Sequence, residues 1–71
     1  MDSRQLDKYK YLGLNIAYYR KERGLSQSRL AGLVNISRTH MSRIETADCA
    51  VSLVVVFDIC DALNISPCKL F

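Results

Sequence analysis

The stretch QSRLAGLVNISRTHMSRIET, residues 27–46, decides how this chain folds. It reads as two short helices joined by a tight turn. Leu30, Ala31, Val34, Ile36, Met41 and Ile44 supply an inward face, at the three- and four-residue spacing that gathers side chains on one side of a helix. Arg29, Arg38, His40 and Arg43 supply a polar, basic outward face. Small Ala31 stands where two helices must cross closely. Asn35 stands where the chain must reverse, and Asn tolerates left-handed backbone angles better than any residue except Gly. Ser26 and Ser37 each precede a periodic run and offer a hydroxyl cap. Helices of about two turns are marginal alone, so packing must hold them.

Upstream, residues 6–23 read as one longer helix. Leu12, Ile16 and Tyr19 recur at helical spacing, with Tyr9 one turn earlier and Ala17 alongside, while Lys8, Lys10, Lys21, Glu22 and Arg23 fall mainly on the other face. Gly24 is a natural stop, and Leu25 plugs the corner. Downstream, the pattern lapses over residues 47–51, which read as a loop. Ser52 then opens LVVVFDICDALN, residues 53–64. Three consecutive valines favour a strand. Yet Leu53, Val56, Phe57, Cys60 and Leu63 fit one helix face with Asp58 and Asp61 off it, and a lone strand would have no partner. Helix is the better reading. Asn64 ends it, and Ser66-Pro67 offers a cap and a first-position proline for a final short turn, with Leu70 or Phe71 packing back. The expectation is one all-α domain over residues 1–71, with five helices and no strand, the second and third forming a helix-turn-helix.

Seventy-one residues lie near the lower limit for a core without a staple, but nearly half are apolar, so a helical core is feasible. No apolar run approaches the roughly 20 residues that a membrane span requires. The N-terminal residues mix charges and lack the apolar centre of a signal peptide. A soluble, cytoplasmic protein is expected. Cys49, Cys60 and Cys68 are odd in number and lack C-x-x-C spacing, and there is one His, so neither a metal site nor a disulfide is expected. That His has no acid clustered with it, and the chain has no Gly-rich loop or nucleophile elbow. Catalysis is not expected, nor any cofactor or small-molecule ligand.

The net charge of +3 is unevenly placed. Residues 4–43 hold nine Lys or Arg against two acids, whereas residues 45–71 hold Lys69 against four. A basic half that coincides with the two-helix motif suits a polyanion approached from one side. Duplex DNA is the partner this predicts.

Several pieces now fall in one register: Leu12-Gly13, Ile16, Arg20-Lys21, Gly24-Leu25-Ser26-Gln27, Leu30-Ala31, Ser42-Arg43-Ile44-Glu45, and Ala62-Leu63 through Leu70-Phe71. In these the chain resembles the Xre-type, lambda-repressor-like helix-turn-helix domains over residues 12–71. Three departures stand out. Asn35 and Ala47 occupy positions where that family often has Gly, and Val51 one where it often has Pro. The resemblance also implies a helix at residues 54–56.

The resemblance implies roles for particular residues of the motif. The family's second motif helix lies in the major groove with its N-terminal residues at base edges. Here those positions are Ser37, Arg38, Thr39, Ser42 and Arg43, with Arg38 and Arg43 suited to bidentate contacts to guanine. Gln27 corresponds to a residue that commonly donates to the DNA backbone or an outer base. Ser26, Arg29, His40 and Thr46 are lesser backbone candidates. Arg20 and Glu45 correspond to positions that form an ion pair aiming the recognition helix. Single-domain chains of this kind resemble restriction–modification controller proteins, Cro-like phage regulators and antitoxins. An isolated N-terminal domain of a larger repressor would read the same.

A second class of function is a protein-interaction module. Val54 and Val55 fall where side chains point outward, with Pro67 and Phe71 nearby, and monomeric proteins rarely leave such patches contiguous. A homodimer on two half-sites is the use this predicts, and docking to a different protein is the alternative.

Overall fold

Four α-helices stop in the same way, and the stops set the path of the chain. They are α1 (Leu6–Glu22), α2 (Gln27–Leu33), α3 (Arg38–Glu45) and α4 (Leu53–Leu63). The computed structural model describes residues 3–71; Asp2, which counts in the net charge, lies outside them. Just after each helix one residue turns left-handed: Gly24 at φ 69°, Asn35 at 60°, Ala47 at 62° and Asn64 at 55°. The next residue's N–H then donates back into the helix, Leu25 to Arg20 O at 3.0 Å, Ile36 to Ala31 O at 3.0 Å, Asp48 to Arg43 O at 2.8 Å and Ile65 to Cys60 O at 3.0 Å. Each closure satisfies carbonyls that a helix end leaves open and turns the chain sharply. Ala47 is the unfavourable member, since a Cβ in this region costs roughly 1–2 kcal/mol. Its methyl group is buried, at 4% exposure, which offsets part of that.

Three of the four starts are also alike, α1 alone lacking a side-chain cap. Ser26 Oγ accepts from the Arg29 N–H at 3.0 Å, Ser37 Oγ from His40 at 3.0 Å and Ser52 Oγ from Val55 at 3.3 Å. Each hydroxyl satisfies one of the donors that a first helical turn leaves open. Replacing Ser37 with Ala is therefore expected to lower stability by about 1 kcal/mol. Urea unfolding checks this as a lower midpoint at unchanged slope.

The core draws on every helix. Leu12 and Ile16 come from α1, Leu30 and Ala31 from α2, Met41 and Ile44 from α3, and Val56, Ile59, Cys60 and Leu63 from α4, with Val34 and Leu70 closing gaps. Burial, with a smaller push from Asp61, raises the Cys60 thiol above its ordinary pKa, so it packs as a neutral small side chain. α1 packs along α3 and α2 packs on α3, so the motif rests against the longest helix. The tightest point is Gly13. A Cβ there would lie 2.7 Å from Ile44 O and 2.8 Å from the Glu45 carbonyl carbon, and closer still to Glu45 O.

The fold differs from the sequence expectation in three particulars and decides a fourth that the sequence leaves open. The all-α class is as expected, but the expected fifth helix is a single 3₁₀ turn, Pro67–Lys69, and another such turn, Ser3–Gln5, precedes α1. Ser66 makes no capping bond; its hydroxyl lies 3.2 Å from Cys68 Sγ. Of the two terminal residues Leu70 is the buried one, tied to α1 by Asn15 Nδ2 donating to its carbonyl at 3.0 Å. The apolar face of α4 is rotated from the expected one. Leu53 and Phe57 are 63% and 47% exposed, whereas Ile59 is fully buried. Val55, expected outward, is half-buried against the core. Among the described residues there is no strand and no helix long and apolar enough to cross a membrane.

Candidate nucleic-acid interface

α3 separates its two faces cleanly. Met41, Ile44 and Glu45 are buried, while Ser37, Arg38, Thr39 and Arg43 are exposed and Ser42 is half-buried. The exposed side carries both arginines of the helix, and neither guanidinium has a hydrogen-bond or ion-pair partner among the described residues. Arg29 on α2 is likewise exposed. Two other cations of the basic half are committed internally. Arg23 donates from Nε to Leu63 O and from Nη1 to Glu22 at 2.8 Å, and lies over the Tyr19 ring. Arg20 is buried.

Arg20 on α1 and Glu45 at the end of α3 are brought together across the fold. Arg20 Nε donates to Glu45 Oε2 at 2.7 Å and Nη2 to Oε1 at 3.1 Å, a bidentate pair shielded from solvent. Arg20 Nη1 donates to Leu25 O at 2.8 Å, which fixes the corner between α1 and α2. Gln27 Nε2 adds a third donor to the carboxylate, reaching Oε1 at 3.0 Å. One buried acid at the end of α3 thus ties that helix to α1 and to the start of α2. Such a pair contributes little net stability when complete, because desolvation offsets attraction. Its clear effect is to fix how α3 sits.

The remaining candidates are placed unevenly. Ser26 and Ser37 are exposed, but their hydroxyls are engaged as caps. Thr46 Oγ1 lies 3.0 Å from Ser42 O and 3.1 Å from Asp48 Oδ2, two acceptors that share its one proton, which sets an acid beside it. His40 is half-buried, its Nδ1 4.0 Å from Cys49 Sγ. Two residues that shape the site escape the sequence reading. Gly13 is the close crossing of α1 and α3, which its register alone does not reveal. Gln27 is a donor whose partner, Glu45, the sequence does not reveal. An isolated Gly inside a helical pattern is the signal that points to the first; nothing local points to the second, whose partner lies in another helix.

A family model described as a helix-turn-helix domain matches residues 12–70. The fold is similar to that of the restriction-modification controller protein C.AhdI from Aeromonas hydrophila, with a TM-score of 0.85 and 33% identity over 89% of this chain and 96% of that one. It is similar to the hypothetical transcription factor NHTF from Neisseria, with a TM-score of 0.84 and 26% identity over 97% and 75% of the two chains. The clp gene regulator ClgR from Corynebacterium glutamicum shares the fold at a TM-score of 0.86 and 24% identity, over 89% and 67%. A comparison with curated proteins finds no match. With two capped helices around a left-handed Asn35, an exposed basic face and a model match over most of its length, the chain belongs to the helix-turn-helix domain family.

Proposed function

We propose that this protein is a transcription regulator that binds duplex DNA with α3 in the major groove. One observation carries the reading: α3 buries one side completely and presents Arg38, Thr39 and Arg43 on the other, its guanidinia unpartnered among the described residues. An arginine fork matches guanine O6 and N7, and each such contact is worth roughly 1–3 kcal/mol of discrimination. Ser37, Thr39 and Ser42 complete the base-reading edge. Arg29, with Ser26, is assigned to phosphates. His40 and Thr46 rank lower, because one is half-buried and the other is bonded beside Asp48. The similarity to a controller protein and to a hypothetical transcription factor supports the same role; we place the protein in the cytoplasm and assign it no catalysis.

Salt tests this reading. Neutralising phosphates releases counterions, so affinity for a preferred duplex should fall about a thousandfold between about 50 and 200 mM salt. An affinity insensitive to salt over that range would overturn it.

A second surface supports pairing of two copies. Leu53, Val54 and Phe71 are 63%, 69% and 63% exposed, and Phe57 adds to them on α4. Two such domains would read half-sites about one DNA turn apart, roughly 34–36 Å. Val54 is the better probe of this face, since Val55 is partly turned into the core. Val54→Glu is expected to shift a dimer to monomer in sedimentation; an unchanged dimer would remove this face from the interface.

A further inference from the structure

The outward side of α1 carries an apolar stripe that no other element covers. Tyr11, Leu14 and Tyr18 are 55%, 68% and 59% exposed. They stand three and four residues apart, so they line up along one edge of the helix, away from the side that buries Leu12, Ile16 and Arg20. Single exposed apolar side chains are ordinary, but a contiguous row of large ones marks a contact surface.

The stripe ends in charges of opposite sign. Asp7 precedes Tyr11 by four residues and Lys21 follows Tyr18 by three. The run Asp7, Tyr11, Leu14, Tyr18, Lys21 therefore keeps the alternating spacing of a helix-pairing seam. Both end residues are exposed, and neither has an ion-pair partner among the described residues. Each stands seven residues from Leu14, roughly 10 Å along the helix. A second copy turned end for end about Leu14 would set each Asp7 against the partner's Lys21. On one flank each Lys8 would approach the partner's Glu22, whose carboxylate is half exposed beside Arg23. Two copies running the same way would instead set Asp7 on Asp7 and Lys21 on Lys21, which is repulsive at both ends.

We infer that the outward face of α1 is a second contact surface between copies of this chain, pairing antiparallel with the same helix of another copy across Leu14. It is separate from the apolar face of α4. Tyr11 also borders the groove that holds Leu53 and Phe71, but Leu14 and Tyr18 do not. The seam is short against the roughly 20–30 residues a side of a stable interface, so the contact is weak and depends on concentration. It needs neither DNA nor the pairing through α4.

Sedimentation equilibrium at low salt tests this on the chain carrying Val54→Glu, which takes the α4 face out of the measurement. Self-association is expected to persist there. Adding Lys21→Glu is expected to weaken it about tenfold, since two exposed ion pairs each become a repulsion. Adding Asp7→Lys to that variant exchanges the two ends of the seam and is expected to restore association. Only like helices paired end for end recover in this way. Leu14→Glu is expected to abolish association, whereas Leu33→Glu, at an apolar side chain 53% exposed on α2, should leave it unchanged. All these positions are exposed, and circular dichroism checks that each variant keeps its helices. A Val54→Glu parent that stays monomeric at every concentration, a charge-exchanged variant that does not recover, or an equal loss from Leu33→Glu overturns the inference.

Discussion

Replacing Gly13 with Ala is expected to destabilise the protein by about 2 kcal/mol, although Ala is the better helix former. In an open helix the exchange would gain about 1 kcal/mol. Here the added methyl would meet the carbonyls of Ile44 and Glu45 at the end of α3. Backbone at a helix end cannot rotate aside as a side-chain tip can, so α1 and α3 must separate. That separation would loosen the interior where Leu12, Ile16 and Ile44 pack. It would also pull Arg20 from Glu45, since both lie on the same two helices. The melting temperature should fall by roughly 8–16 °C, the usual conversion for a domain of this size. A Gly13→Ala variant as stable as the parent would show that the two helices do not cross at this distance.

Glu45→Ala is expected to be at least as damaging, by about 3–5 kcal/mol, for a different reason. It leaves the buried Arg20 guanidinium with only the Leu25 carbonyl, and it removes the acceptor of Gln27. An unpaired charge out of water is the costly state, more than the loss of the attraction itself. Replacing both partners, Arg20→Met with Glu45→Leu, should therefore recover much of the stability that Glu45→Ala loses. DNA affinity should not recover in the double variant, because α3 would no longer be held at one angle. Unfolding and binding measured on the same three proteins check both statements. A double variant less stable than Glu45→Ala would contradict this view of the pair.

Much of the fold was legible because its punctuation is local. Ser26, Ser37 and Ser52 announce three helix starts, and Gly24, Asn35 and Asn64 three stops, each by its own backbone or hydroxyl chemistry. Ala47 closes α3 in the same way but carries no such signal, since Ala has no preference for that conformation. The face of α4 is not legible in the sequence for a related reason. In LVVVFDIC nearly every direction around the helix is apolar, so periodicity alone cannot choose among them. Contacts with α1 and α2 choose Val56, Ile59, Cys60 and Leu63, leaving Leu53 and Phe57 outside. At the site, the basic residues of α3 were visible from spacing. Which cations stay free was not, because Arg20 and Arg23 find their partners through tertiary contacts.

The central claim is that Arg38 and Arg43, held on α3 by the Arg20–Glu45–Gln27 cluster, read base edges. Selection of bound duplexes from random DNA tests it most directly, run in parallel on the parent, Arg38→Ala and Arg43→Ala. The account predicts an enriched site of two inverted half-sites in the parent, with preference for a particular guanine relaxed in each variant. Enrichment of no site by the parent, or the same site with the same guanines in both variants, would contradict it.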